Sequence, residues 1–110
     1  MENTEKIFGK INDKNCPVRR ALDVVGGKWA ITIIYSLFEG TKRFKELERS
    51  IEGINTRMLV KELKLMEKHK IVTRVAHATI PPTVEYTLTE KGKQLRPTLE
   101  QLYKWGTEYC

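Results

Sequence analysis

From Pro17 onward apolar residues recur at three- and four-residue intervals, except between Val72 and Leu88, where the interval shortens to two. Helices produce the first pattern and strands the second, because side chains share a face about every 3.6 residues in a helix and every second residue in a strand. Cys16-Pro17 opens the first helix, since proline at the first helical position loses no hydrogen bond and already holds a helical φ. Gly26-Gly27 ends it after Val25. Lys28 to Glu39 reads as a second helix, with Trp29, Ile33 and Leu37 on one face beside Ile34 and Phe38, and Gly40 stops it. Thr41 to Ser50 reads as a third, with Phe44, Leu47 and Ile51 at helical spacing, and Glu52-Gly53-Ile54 forms a turn.

Asn55 is placed to cap the fourth helix, which runs to about His69. At about 100° per residue Leu59, Leu63 and Met66 share one face, flanked by Met58 and Leu65. Arg57, Lys61, Lys64 and Lys68 line the opposite side along the whole helix. Val72 to His77 and Val84 to Leu88 are then two strands joined by a loop containing Pro81-Pro82. Thr89 caps a last helix with the apolar stripe Leu95, Leu99, Leu102 and Trp105, which Pro97 is expected to kink or split.

Three helices, a turn, a basic helix, a β-hairpin and a final helix predict a mainly α fold with a small β-hairpin, a winged helix-turn-helix. In that arrangement the second helix of the pair enters the DNA major groove and the hairpin lies on the backbone or minor groove beside it. Residues 16–110 make up this domain. Residues 1–15, polar with scattered Ile7, Phe8 and Ile11, read as a flexible tail.

Composition narrows the class. A chain of 110 residues with 40% hydrophobic and 31% charged positions is a single globular domain's worth. Its longest apolar stretch, 30–38, is interrupted by Thr32 and Ser36 and is far shorter than the roughly 20 residues of a membrane span. The acidic, polar start lacks the pattern of a secretory signal, so a cytoplasmic, membrane-free protein is expected. Cys16 and Cys110 form neither a disulfide framework nor a C-x-x-C pair, in keeping with a reducing compartment.

The net charge of +6 is concentrated: from Lys42 to Arg74 ten cations face five anions, while the remaining segments are nearly balanced. A basic face of this kind points to a polyanion, although a merely solvated face has the same composition. The candidate DNA-binding residues are Lys42, Arg43 and Lys45, placed to hold phosphates, and Asn55, Thr56, Arg57, Lys61, Lys64 and Lys68 on the recognition helix. Arg57 lies in the first turn, where arginine can hold guanine by two hydrogen bonds, and Thr56 can meet a base or a phosphate. Gly26-Gly27-Lys28 fails as a phosphate loop, because Leu22 and Trp29 stand where it needs glycine and Ser or Thr. His69, His77 and the cysteines lack zinc spacing, and no nucleophile or metalloprotease motif is present. No enzyme activity, metal or cofactor is therefore assigned.

Several motifs together resemble the HxlR-type transcriptional regulators: Cys16-Pro17-Val18, Gly26-Gly27-Lys28-Trp29, Arg43-Phe44-Lys45-Glu46-Leu47, Gly53-Ile54-Asn55-Thr56-Arg57-Met58-Leu59, Pro81-Pro82-Thr83-Val84-Glu85-Tyr86 and Leu88-Thr89-Glu90-Lys91-Gly92. The resemblance implies a homodimer joined through the N- and C-terminal helices, here about Pro17 to Val25 and Leu95 to Tyr109, acting on a pseudo-palindromic operator. The stripe Leu95, Leu99, Leu102 and Trp105 is expected at that dimer interface, because one winged helix of 110 residues has too little core to cover the apolar face of its last helix, Leu99 and Leu102 included. Thr83 departs from the basic residue frequent at that wing position, and Asn55 stands for the more usual serine. Some regulators of this kind respond to oxidants or electrophiles through a cysteine matching Cys16. At a helix N-cap with Arg19 and Arg20 one turn away, Cys16 has two readings, a redox-sensing thiol and a buried structural thiol. The competing reading of the whole chain is a winged-helix module that binds protein rather than DNA.

Overall fold

The computed structural model describes Asp13 and residues 15–110. In chain order these form α1 (Pro17–Val25), α2 (Ala30–Leu37), β1 (Lys42–Arg43), α3 (Phe44–Ser50), α4 (Thr56–Lys68), β2 (Val72–His77), β3 (Thr83–Leu88), α5 (Glu90–Lys93) and α6 (Leu95–Tyr109). Apart from Asp13 and Asn15, the expected tail lies outside the described residues.

The core forms where α2, α3 and α4 meet the sheet. Ile33, Ile34 and Leu37 of α2, Leu47 of α3, and Leu59, Leu63 and Met66 of α4 are buried together with Val72, Tyr86 and Leu88. Each is worth about 1.5–3 kcal/mol of apolar burial, so this cluster dominates the stability of the fold.

The caps and the main turn sit where the sequence places them. Asn55 Oδ1 accepts the Met58 N–H at 2.9 Å, and Thr89 Oγ1 accepts the Gly92 N–H at 3.1 Å. Gly53 takes φ +88°, a left-handed conformation that turns the chain sharply between α3 and α4.

Two expectations need correction. Thr41 to Ser50 is not one helix: Lys42 and Arg43 pair with Tyr86 and Glu85 as β1, so the hairpin becomes a three-stranded antiparallel sheet of order β1-β3-β2. Glu46 accounts for the late helix start, since its Oε1 accepts the Arg43 backbone N–H at 2.8 Å and so caps α3 from Phe44 onward. The last helix is split, but at Gln94 rather than at Pro97. α6 begins at Leu95 and so carries Pro97 in its first turn, where backbone N–H groups have no intrahelical partner and their loss is tolerated.

The exit of α4 is fastened by the segment following the sheet. Lys91 Nζ donates to the His69 carbonyl at 2.8 Å, Thr89 Oγ1 to the Lys70 carbonyl at 2.6 Å, and the Thr89 N–H to the Ile71 carbonyl at 2.9 Å. Gly92 permits this close approach, for a Cβ there would stand 2.4 Å from the Ile71 carbonyl oxygen. The angle at which α4 leaves the core is thereby tied to α5. Among the described residues no helix is long and apolar enough to cross a membrane.

Candidate nucleic-acid interface

α4 is divided lengthwise into two faces. Leu59, Leu63 and Met66 point into the core, and Arg57, Lys61, Lys64 and Lys68 are exposed on the outside. Among the described residues no carboxylate lies within ion-pair distance of any of these four cations. At a rise of 1.5 Å per residue the row extends about 16 Å, and it is unneutralised throughout.

The first turn of α4 is more constrained. Asn55 uses its side-chain oxygen as the cap, which leaves its amide NH₂ as the group available to a base or phosphate. Thr56 Oγ1 donates to Glu48 Oε2 on α3, and Lys45 Nζ stands 3.9 Å from Oε1 of the same carboxylate. Helical spacing gives no sign of Glu48 in this role, because the contact depends on the angle between α3 and α4.

Lys42, Arg43 and Lys45 are differently engaged. Lys42 is half-buried on β1 and paired with Glu39 at 3.0 Å, so it is the least available to a ligand. Arg43 and Lys45 are exposed and share a cavity of about 570 Å³ with Arg49, Pro81 and Pro82, between α3 and the wing loop.

Arg74 is a further cation that helical spacing misses. It pairs across the sheet with Tyr86, on the face of β2 that also carries Val72, and that face packs on α4. Arg74 therefore lines a groove of about 400 Å³ between α4 and the wing, together with Lys64, Glu67 and Val60. The two-residue alternation of β2, counted outward from buried Val72, is the signal that finds it. The wing tip beyond is neutral, with no charge in residues 78–83 and Ile80 fully exposed.

The stripe on α6 separates into two parts. Leu99 is 3% exposed and Leu95 is half-buried, both packed on the chain's own core, so the expectation that Leu99 lacks cover within one chain is corrected. Leu102 and Trp105 are 54% and 56% exposed, with Tyr103 and Tyr109 beside them and Leu22 of α1 also uncovered. Cys16 is 4% exposed and precedes α1, whereas Cys110 is exposed. Among the described residues no group of three or more His, Cys, Asp or Glu is placed to hold a metal.

A tight turn joining two helices, the second basic outside and apolar inside, followed by a wing on the same sheet as β1, defines a winged helix-turn-helix protein. The HxlR-like helix-turn-helix family profile matches residues 24–110. The chain belongs to that family and is a transcriptional regulator of helix-turn-helix type. It is 43% identical over 95 residues to the HTH-type transcriptional regulator YybR of Bacillus subtilis, covering 86% of this chain and 76% of that one. Among solved structures it is similar to a MarR-family transcriptional regulator from Porphyromonas gingivalis, with TM-score 0.83 and 35% identity over 89% of this chain and 96% of that one. It is also similar to the redox regulator HypR in its oxidised form, with TM-score 0.78 and 42% identity over 86% of this chain and 98% of that one.

Proposed function

We propose that the protein binds double-stranded DNA sequence-specifically as a homodimer, with α4 in the major groove and the wing against the adjacent backbone. The observation that carries this reading is the row of exposed cations on α4, none of them neutralised by a carboxylate among the described residues. A surface kept for solubility has no need of a one-sided row. Lys64 and Arg74 flank the groove in which a phosphate strand would lie between helix and wing. The exposed Leu22, Leu102 and Trp105 supply an apolar surface for a second copy, and two-fold pairing would match a pseudo-palindromic operator.

The test is binding to duplexes selected from sheared genomic DNA, titrated over a range of salt. A steep loss of affinity with rising salt is expected, with a slope of about −0.9 per phosphate neutralised. Salt-independent binding, or none to any duplex, would favour a protein-binding winged helix instead. Light scattering at micromolar concentration should give the mass of two chains, and Leu102→Lys should lower it toward one. A wild-type monomer would remove the symmetric operator from the reading.

A redox response through Cys16 is a second reading, favoured by the similarity to HypR. Burial of Cys16 opposes direct attack, because a thiol reacts only when an oxidant can reach it. Operator binding by wild type and Cys16→Ser, each with and without diamide, separates the two readings: an identical response in both proteins leaves Cys16 structural.

A further inference from the structure

The Thr56 hydroxyl, in the first turn of α4, has its proton already committed. It donates to Glu48 Oε2 across the turn between the two helices. A carboxylate only accepts hydrogen bonds, so the direction of this one is fixed, and a hydroxyl has a single proton to give. Glu48 itself is held in place: its side chain is 23% exposed, and Lys45 balances its other oxygen at 3.9 Å. What Thr56 presents to a ligand is therefore two lone pairs and no donor.

We infer that Glu48 is a positioning residue that makes Thr56 an obligate acceptor, and that Thr56 reads an exocyclic amino group of adenine or cytosine in the major groove. The inference rests on the DNA-binding reading above. Phosphate oxygens, guanine O6 and N7, and thymine O4 are all acceptors, and none can bond a threonine whose proton is engaged. Adenine N6 and cytosine N4 are the major-groove donors. The same carboxylate also disfavours phosphate at the start of α4, where a helix N-terminus otherwise attracts anions. The first turn is thus divided between Arg57, a donor suited to guanine, and Thr56, an acceptor suited to an amino base.

The experiment uses the full-length protein and a duplex that it selects from a randomised library. Each adenine in the half-site is replaced in turn by purine, which lacks the 6-amino group, and each cytosine by 2-pyrimidinone, which lacks the 4-amino group. Affinities are measured for wild type, Thr56→Val, Thr56→Ser and Glu48→Ala, so that the effect of the analogue on the duplex itself cancels between proteins. At one position the amino deletion should cost wild type and Thr56→Ser about tenfold and cost Thr56→Val nothing further. Glu48→Ala frees the proton while leaving both lone pairs, so it should keep only part of that coupling and, unlike wild type, should tolerate an acceptor such as guanine or thymine at that position. A purely structural Glu48 would lower affinity for all duplexes alike and leave the coupling at its wild-type size, which overturns the inference. Sequence-selective binding with no amino group coupled to Thr56 overturns it as well. Failure of wild type to select any duplex refutes the DNA-binding reading itself.

Discussion

Truncating Leu59 to alanine should destabilise the protein by about 2–5 kcal/mol, the usual range for emptying a fully packed leucine site. Leu59 is completely buried, among Ile33, Ile34, Leu47 and Leu63 on three helices, so the neighbours have little freedom to collapse into the space. In a domain of this size each kcal/mol lowers the melting temperature by about 4 °C or more. Thermal or urea denaturation at fixed protein concentration gives the value, fixed because association adds its own stabilisation. A loss below about 1 kcal/mol would mean that the inner face of α4 is not the centre of the core. Folded Leu59→Ala protein at low temperature should still bind duplex DNA, because the cationic row on the other face is untouched.

That two-sidedness of α4 is legible in the sequence because one periodicity sets both faces: the spacing that buries Leu59, Leu63 and Met66 also exposes Arg57, Lys61, Lys64 and Lys68. Asn55, Gly53 and Thr89 are equally legible, since cap and turn chemistry acts within three or four residues along the chain. Non-local features are not. β1 spans only Lys42–Arg43, too short to show a period, and it exists because Tyr86 and Glu85 of a distant strand pair with it. The break before Leu95 follows from where Pro97 is tolerated, a constraint that locates a helix start without naming it. The α6 stripe tells which residues are apolar and not which of them the chain covers itself. Leu99 and Leu102 look alike in sequence and differ in burial only because the core reaches as far as Leu99. The link from Glu48 to Thr56 belongs to the same category, as it requires the angle between two helices.

Arg57→Ala should lower affinity for the selected operator by about 1–3 kcal/mol per half-site, roughly five- to 150-fold, and in a symmetric dimer the loss applies twice. Arg57 stands in the first turn of α4, directly after Thr56, exposed and without an ion-pair partner among the described residues. Its guanidinium therefore pays no internal cost when it turns to the O6 and N7 of a guanine. Lys64 provides the contrast, two turns further along the same face and beside Arg74 in the groove toward the wing. In the proposed complex a lysine in that position would meet phosphate, which is the same for every base pair. Lys64→Ala should weaken cognate and random duplexes equally and reduce the slope of log affinity against log salt by about one. Arg57→Ala should instead change the cognate-to-random ratio far more than the slope. Competition titrations with both duplexes at three salt concentrations measure the two quantities together. If both variants lower cognate and random binding by the same factor, Arg57 contacts only the backbone, and base recognition must be carried by other groups in the first turn of α4.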